Sequence, residues 1–239
     1  MEFAVISDVH SNLEALEAVL ADIRKRKIKE ILFLGDVVGY GPNPNECIET
    51  LAETCKILLA GNHDWGTLGL TPIHFFNEHA RAALEWTRNV IKEKDKKILE
   101  SFPIKKVEDG LFLVHSTPKE PDAWHYLLTM WDAEVNFHYF EHKFCFLGHS
   151  HQPIIIERVP SGELLTYRTE AGIRKGSRYI INAGSVGQPR DGDPRACFVV
   201  MKDNKIQILR VPYDIEKVQR KMRRELLPAL LAERLTVGR

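Results

Sequence analysis

The chain has 239 residues, enough for one large α/β domain with a substantial apolar core. Its 33 basic and 33 acidic side chains cancel, which argues against a protein that coats nucleic acid or anionic lipid. Apolar residues make up 44% and charged residues 28%. These values exclude a disordered chain, a collagen and a coiled coil.

The four cysteines lie far apart in the sequence and form no C-x-x-C pair, so no disulfide framework is expected. The chain contains no apolar window of about 18 residues and opens without a basic signal region. We therefore expect a protein of the cytoplasm that does not insert into membranes. The ten histidines point towards metal or phosphate chemistry.

The first sixty residues alternate short apolar runs with amphipathic helical patterns. Ser11 and Glu14 have the spacing of a capping box at the start of the first helix. Asn43 and Pro44 predict the cap and the first residue of a second helix, which runs to about Glu53. This alternation is typical of βαβ units with a largely parallel sheet. The predicted strands of this part are Glu2–Ile6, Ile31–Leu34 and Ile57–Ala60.

The middle of the chain is helical and the second half is rich in strands. The pattern from about 65 to 103 predicts an inserted helical lobe, and a final helix is predicted over about 214–232. We find no linker, so we expect one domain over residues 1–239. The strands beyond Gln152 are expected to be antiparallel. The predicted strands are Leu111–Val114, Phe144–Leu147, Ile154–Glu157, Leu164–Arg168, Arg178–Asn182, Ala196–Met201 and Ile206–Val211.

Polar residues follow five of the predicted strands at the point where each strand ends. In an open α/β sheet, ligands bind beyond the carboxyl ends of the strands, so these five segments should converge. They bring carboxylates, imidazoles and an amide but no thiolate, which suits catalytic Mn²⁺, Fe or Zn²⁺ better than a closed structural zinc site. The segments are Asp8-Val9-His10, Gly35-Asp36-Val37-Val38-Gly39, Gly61-Asn62-His63-Asp64, His115, and Gly148-His149-Ser150-His151.

The motifs D-x-H, G-D-x-x-G, G-N-H-D, a lone H and G-H-x-H, in this order, resemble those of the calcineurin-like metallophosphoesterase superfamily. The resemblance covers residues 3 to about 190. It implies an α/β fold, a four-layer α/β/β/α sandwich, that carries a dinuclear metal centre. Asp36 would bridge the two ions, and His63 would contact the substrate and protonate the leaving oxygen. The first ion would be held by Asp8, His10 and His151, and the second by Asn62, His115 and His149.

The stretches SDVHSN, GDVVGYGP, GNHD and NAGSVGQPR are similar to those of the small prokaryotic phosphodiesterases of this superfamily. In protein serine/threonine phosphatases the second motif continues with an Asp that orients the catalytic histidine and an Arg that grips phosphate. Gly39 and Tyr40 stand at those positions here, which argues against a protein phosphatase and leaves open what orients His63. Arg190 is the candidate replacement for the phosphate contact, helped by Asn12, although Arg190 could lie on the surface and Asn12 could only cap the first helix.

The predicted function is a phosphodiesterase for small or nucleotide phosphodiesters, acting by in-line attack of a metal-bridging hydroxide. Mn²⁺ is the expected ion, with Fe, Zn²⁺, Ni²⁺ and Co²⁺ as alternatives. A phosphomonoesterase, a nuclease and a non-catalytic scaffold are the alternative functions. The neutral net charge argues against the nuclease, and the complete set of ligands argues against the scaffold. The expected partner is a small phosphoester, with neither nucleic acid nor a membrane, and a homo-oligomer is left open.

Three further residues have two interpretations each. Asp64 either orients a ligand or caps a turn. His125 and Tyr126 either line the substrate pocket or belong to an aromatic cluster with residues such as Trp124 and Trp131, and such clusters more often lie in a core.

Overall fold

Two six-stranded mixed sheets, stacked face to face, form the centre of the structure, a computed structural model that describes residues 1–239. The strands are β1 (Phe3–Ile6), β2 (Ile31–Phe33), β3 (Ile57–Leu58), β4 (Lys105–Glu108), β5 (Leu111–Val114), β6 (Phe144–Leu147), β7 (Ile154–Arg158), β8 (Leu164–Tyr167), β9 (Glu170–Gly172), β10 (Arg178–Asn182), β11 (Ala196–Lys202) and β12 (Lys205–Val211). The helices are α1 (Leu13–Lys25), α2 (Pro44–Thr54), α3 (Asn62–Leu68), α4 (Glu78–Val90), α5 (Glu93–Glu100), α6 (Met130–Asn136), α7 (Ile215–Arg224) and α8 (Ala229–Val237).

Both sheets are mixed: the parallel strands form one half of the first sheet and the centre of the second. The first sheet has the order β3-β2-β1-β11-β12-β9, in which β1, β2 and β3 are parallel and the other neighbours antiparallel. The second has the order β4-β5-β6-β10-β7-β8, in which β5, β6 and β10 are parallel. The prediction of antiparallel strands in the second half is therefore wrong for β10, which completes the parallel centre of the second sheet.

The strands are apolar on both faces because every strand face in the centre is covered. Val5 of β1, Phe146 of β6 and Tyr179 of β10 pack between the two sheets. Since successive strand residues point to opposite faces, Ala4 and Ile6 of β1 face outwards, against α1, α2 and α5. Helix α6 covers the other sheet. This arrangement confirms the predicted four layers, helix, sheet, sheet and helix. None of the eight helices combines the length and the apolarity needed to cross a lipid bilayer.

The sequence pattern does not predict two of the strands, β4 and β9. Both lie at the edge of a sheet, where one side of the strand has no neighbouring strand. Three of the four residues of β4 are charged, and β9 has only three residues. Neither strand therefore contains the apolar run by which the buried strands are recognised.

The single final helix predicted over 214–232 is wrong, because the structure has two helices, α7 and α8, in this part. Leu226 adopts a positive φ of 55° between them, and Pro228 caps α8. A proline lacks the backbone N–H that continues a helix and restricts the residue before it, so the first helix ends before Pro228. The two helices pack their apolar faces together around Tyr40.

The first helix also begins differently from the prediction. Asn12 is its N-cap, and the side-chain Oδ1 of Asn12 accepts the N–H of Ala15 at 3.1 Å. The predicted capping box of Ser11 and Glu14 is therefore wrong.

The side chain of Glu14 forms ion pairs with α7 instead. Lys221 Nζ lies 2.5 Å and Lys217 Nζ 3.1 Å from Glu14 Oε1, although Glu14 is only 7% exposed. Lys221 also donates to Asn43 Oδ1 at 2.9 Å, and Asn43 makes no side-chain capping bond to α2. This network joins α1, α7 and the start of α2.

We expect Glu14→Gln to lower the free energy of unfolding by about 2 kcal/mol at pH 7, because two lysines lose a buried anionic partner. Burial alone would raise the pKa of Glu14, but the hydrogen bonds from Lys221 and Lys217 outweigh it and lower that pKa. A carboxylate with a lowered pKa stabilises the fold above its unfolded pKa of about 4.3, and this stabilisation is lost as the pH falls through the folded value.

Urea denaturation of wild type and variant at pH 7 and below pH 4 measures this difference, which should shrink at the acid pH. Glu17→Gln is the control, because Glu17 is exposed on the same helix. Equal midpoints for wild type and Glu14→Gln at pH 7 would contradict the role given to the ion pairs.

Candidate metal centre

The polar residues that follow the parallel strands meet at one edge of the two sheets. Asp8 follows β1, Asp36 follows β2, and His115 comes directly after β5. All seven predicted metal ligands are buried there, each 8% exposed or less. They are Asp8, His10, Asp36, Asn62, His115, His149 and His151.

One group of candidate ligand atoms comprises Asp8, His10 and His151, which lie within 4.8 Å of one another. His151 Nε2 lies 3.2 Å from Asp8 Oδ1 and 3.1 Å from His10 Nε2. His10 Nε2 is 3.7 Å from the same carboxylate oxygen. Three possible donors to a cation therefore face a common point.

The outer nitrogens of the two imidazoles show which atoms are available to a metal ion. His10 Nδ1 contacts the Val38 carbonyl at 3.0 Å, and His151 Nδ1 contacts the Gln188 carbonyl at 2.5 Å. Because a carbonyl oxygen only accepts, each Nδ1 carries the hydrogen and each Nε2 presents a lone pair. Two lone pairs 3.1 Å apart repel each other unless a cation lies between them. Asp8 Oδ1 has no hydrogen-bond partner either, so the group fits a divalent ion.

The second group comprises Asp36, His115 and His149, with Asn62 beside them. His115 Nδ1 contacts the Leu34 carbonyl at 3.0 Å, which leaves Nε2 facing Asp36 Oδ2 at 3.3 Å. His149 Nε2 contacts the Trp124 carbonyl at 2.9 Å and thereby leaves its Nδ1 for the site. Asn62 Oδ1 and His115 Nε2 are buried without a hydrogen-bond partner, as expected of atoms that coordinate a cation.

Burial and the neighbouring charges shift the pKa values of these imidazoles. Burial, followed by the charge of Arg190, lowers the pKa of His151 to about 4, and burial lowers that of His149 to about 3. Burial would also lower the pKa of His115, but Asp36 and Asp8 raise it to about 9. A cation placed beside Asp36 would replace the proton that His115 otherwise holds.

Asp36 belongs to the second group and also lies near His10 of the first, so its carboxylate stands between the two groups. Its Oδ2 lies 3.3 Å from His115 Nε2 and 3.7 Å from His10 Nε2. Its Oδ1 accepts the backbone N–H of His63 at 2.8 Å, which fixes the orientation of the carboxylate. Burial would raise the pKa of Asp36, but the charges of His115 and His63 lower it, so the group is an anion.

The backbone at these positions is strained in a way typical of functional sites. Five of the seven candidate ligands have positive φ angles, between 48° and 66°, a region that costs an L-residue about 1–2 kcal/mol. The surrounding fold must hold them in this conformation. These residues are Asp8, His10, Asp36, His149 and His151.

The carboxylate of Asp64 orders the loops that carry the ligands. It accepts backbone N–H groups from Asp36 at 2.8 Å, Val37 at 3.0 Å, Val38 at 3.2 Å and Gly61 at 2.9 Å. The two loops lie so close that a Cβ atom on Gly61 would stand 2.1 Å from Asp36 Oδ1. Asp64 fits both interpretations, because it accepts the N–H of Gly61 at the start of α3 and also holds the backbone of the candidate ligand Asp36.

His63 is held by aromatic rings and has no acidic partner at its Nδ1, which is buried without a hydrogen bond. The ring centres of Tyr40, His10 and Phe76 lie 4.5, 4.8 and 5.0 Å from that of His63. A Cβ atom on Gly39 would stand 2.4 Å from His63 Nδ1, so the glycine leaves the space that the imidazole occupies. This answers what orients His63. No feature of the sequence pointed to Phe76, which lies in the helical lobe.

A cavity of about 400 Å³ opens beside this centre. Its polar side is formed by Asn62, His63, His149 and Arg190. Tyr126 lines it as well and stacks on His149, with ring centres 4.1 Å apart and planes inclined by 14°. The other aromatic residues of its wall are Tyr40, Phe75, Phe76 and Trp124.

The aromatic segment around this cavity divides differently from the prediction. Tyr126 and Trp124 line the cavity, whereas His125 lies outside it. Trp131 does not belong to a core, because it is 72% exposed on the short helix α6. Of the aromatic side chains in this segment, only Phe137 and Phe140, at its end, are buried.

The two further residues predicted to contact the substrate, Arg190 and Asn12, differ in their position relative to the cavity. Arg190 lines the cavity, half-buried. Asn12 does not line it, and the amide of Asn12 is already used, since Oδ1 caps α1 and Nδ2 donates to the Gly187 carbonyl at 2.9 Å. The predicted contact of Asn12 with substrate therefore stays a prediction, because Asn12 lies outside this cavity.

Comparisons with known proteins agree with this geometry. The profile of the calcineurin-like phosphoesterase superfamily domain matches residues 1–205. An uncharacterized protein of Methanocaldococcus jannaschii is 44% identical over 243 aligned positions, which cover 99% of this chain and 98% of that protein.

Two solved structures have the same architecture over the whole chain. A metallophosphoesterase from Sphaerobacter thermophilus is 38% identical with a TM-score of 0.88, covering 100% of this chain and 99% of its own. A hypothetical protein from Pyrococcus horikoshii OT3 is 21% identical with a TM-score of 0.81, covering 100% and 98%, and it shows the shared fold. The chain therefore belongs to the calcineurin-like phosphoesterase superfamily, a family of metal-dependent phosphoester hydrolases.

Proposed function

We propose that this protein is a phosphodiesterase that hydrolyses small or nucleotide phosphodiesters with the help of two divalent ions, Mn²⁺ first among them. The observation that carries the proposal is the position of Asp36, whose carboxylate lies between His10 of one group of ligand atoms and His115 of the other, beside an aromatic cavity. Asp8, His10 and His151 would hold one ion. Asn62, His115 and His149 would hold the other.

The chain's own residues have separate roles in this proposal. Divalent ions held by these ligands would supply Lewis acidity for the phosphoryl group and for an attacking water molecule. His63, at the cavity wall, donates a proton to the leaving oxygen. Burial lowers the pKa of His63 in the free protein, and an anionic phosphate beside the ring favours its protonated form.

Arg190 is the one lysine or arginine among the residues that line the cavity. A guanidinium donates to two phosphoryl oxygens at once, so Arg190 is the residue that would bind the non-bridging oxygens. A single cation at the cavity does not make the long basic groove that a nuclease needs, which favours a small substrate.

The aromatic walls of the cavity favour a diester over a monoester. A diester keeps a second organic group on phosphorus, and Phe75, Trp124 and Tyr126 offer this group an aromatic surface. Stacking on aromatic side chains is the usual way to bind a nucleobase without reading its sequence. The preference for Mn²⁺, the location in the cytoplasm and the oligomeric state stay predictions.

Asp36→Asn should lose bound metal and nearly all turnover, because the shared anionic ligand becomes a neutral amide. The loss of activity should exceed the 10- to 100-fold that removal of an outer-shell partner of a metal ligand typically costs. Metal content is measured by elemental analysis, and turnover with bis-(p-nitrophenyl) phosphate and added Mn²⁺.

Asp109→Asn is the matched control for this variant. Asp109 also has a positive φ, 52° against 59° for Asp36, but its side chain is 71% exposed at a distant hairpin. Full activity of Asp36→Asn would sink the proposed site, and equal losses in both variants would indicate a general loss of structure.

The proposed substrate class predicts higher kcat/KM for diesters than for monoesters in a panel of metal-loaded protein. The panel contains a generic diester and monoester, 2′,3′- and 3′,5′-cyclic nucleotides, dinucleoside polyphosphates and single-stranded DNA. A preference for the monoester would favour a phosphomonoesterase, and cleavage of the DNA a nuclease. No hydrolysis of any member would favour the non-catalytic scaffold.

Phe75→Ala should raise KM for nucleotide diesters about fivefold, since stacking on an aromatic ring stabilises a bound base by about 1 kcal/mol or more. Phe75 is 78% exposed at the cavity wall, so its removal leaves the core intact. Leu70→Ala, at a 59% exposed residue of the same lobe that does not line the cavity, is the control. An unchanged KM in Phe75→Ala would show that this ring does not contact the substrate.

A further inference from the structure

Tyr40 lies at the junction of the candidate centre, the cavity and the C-terminal helices. Its ring centre is 4.6 Å from that of His10 and 4.5 Å from that of His63. The residue is only 5% exposed and has a positive φ of 61°, so its side chain is fixed by the surrounding structure.

The C-terminal helices hold Tyr40 from behind. Val218 and Met222 of α7 and Leu231 and Leu235 of α8 belong to the same buried apolar cluster as Tyr40. Both helices follow the residues matched by the family profile, which ends at residue 205. A part of the chain beyond the matched domain therefore forms the back wall of the site.

The hydroxyl of Tyr40 contacts Arg190. Arg190 Nη2 donates to Tyr40 Oη at 3.1 Å and to Gln188 Oε1 at 2.8 Å, and the guanidinium carbon lies 5.6 Å from the tyrosine ring centre. These two bonds use both hydrogens of Nη2. Arg190 Nε is buried without a partner, and Nη1 makes no hydrogen bond within the protein. Nη1 is not buried and is therefore available to a ligand, whereas the buried Nε is not accessible to one.

This arrangement restricts a side chain that is otherwise mobile. A free arginine side chain loses about 2 kcal/mol of conformational free energy when it is fixed in one rotamer. Tyr40 Oη and Gln188 Oε1 accept hydrogen bonds that fix Arg190 before a substrate binds. Substrate binding therefore loses less conformational entropy of this side chain.

We propose that Tyr40 is a positioning residue, whose hydroxyl holds the guanidinium of Arg190 at the cavity so that the two N–H groups of Nη1 bind the phosphoryl group of the substrate. The inference rests on the proposed function for the identity of the ligand, a phosphoester anion. Tyr40 itself does not touch the reacting atoms and acts through Arg190.

The test is a double-mutant cycle of Tyr40→Phe and Arg190→Ala on the Mn²⁺-loaded protein. Tyr40→Phe removes the hydroxyl and keeps the ring that packs on His10 and His63. The readouts are KM and kcat for bis-(p-nitrophenyl) phosphate, the Kd of inorganic phosphate by calorimetry, the metal content and the melting temperature. Phosphate binding does not depend on turnover, so it tests the inference separately from the proposed function.

We expect Tyr40→Phe to raise KM and the phosphate Kd by about 3- to 10-fold, as loss of one hydrogen bond does, with kcat within about twofold of wild type. In the Arg190→Ala background the same substitution should change neither value. A merely structural role for the hydroxyl would give equal effects in both backgrounds. Gln188→Ala removes the other acceptor of Nη2 and should likewise lose its effect when Arg190 is absent.

Tyr213→Phe is the matched control, because Tyr213 packs against the same apolar cluster without lining the cavity, and it should bind phosphate like wild type. Hydrolysis without coupling between Tyr40 and Arg190 would overturn the inference and leave the proposed function standing. Coupling in phosphate binding without any hydrolysis would support the inference and contradict the proposed function. A wild-type protein that neither binds phosphate nor hydrolyses a phosphoester would overturn both.

Discussion

The carboxylate of Asp64 is the interaction on which the geometry of the site depends. It accepts four backbone N–H groups, three from the loop after β2 and one from the loop after β3. A fully buried carboxylate is costly to remove from water, and four donors offset only part of that cost, because burial and the charge of Asp36 still raise the pKa of Asp64 to about 7. With these bonds in place, the backbone of Asp36 is fixed relative to the start of α3, and His63 at that start donates its N–H to Asp36 in return.

The same principle extends to the imidazoles, because backbone groups orient each of them. His10 contacts a carbonyl of the loop after β2, His115 contacts the last residue before Gly35, and His151 contacts Gln188 in the loop after β10. Each contact selects the ring nitrogen that faces the centre. Hydrogen bonds between the loops therefore maintain the positive φ angles of the ligands. The backbone strain in one loop is offset by its contacts with another loop.

The sequence predicts those parts of the molecule that are encoded locally. The strands of both sheet centres are apolar runs, and the seven candidate ligands follow strand ends in recognisable motifs, so both could be found without a structure. The partners of Glu14 could not, because Lys217 and Lys221 lie about 200 residues further along the chain, and the local spacing to Ser11 suggested a capping box instead. The sequence predicts a substrate contact for Asn12, whereas in the structure its Oδ1 caps α1 and its Nδ2 donates to the Gly187 carbonyl.

Part of the cavity wall could not be predicted from the sequence for a similar reason. Phe76 comes from the helical lobe and Trp124 from the aromatic segment, and neither lies in a motif. Only the tertiary structure brings the ring of Phe76 to His63 and the ring of Trp124 to His115. Solvent exposure is not encoded locally either. Trp131 has the large aromatic side chain of a typical core residue, yet it lies on the surface.

Gly39 and Tyr40, the two residues that separate the second motif from that of protein phosphatases, have complementary effects. The missing side chain of Gly39 gives His63 its place, and the large side chain of Tyr40 both flanks that imidazole and binds Arg190. The chain has no net charge, yet two divalent ions would outweigh the two negative charges of Asp8 and Asp36. Attraction of an anionic substrate would then come from the centre itself, and a single well-held arginine would suffice to orient it.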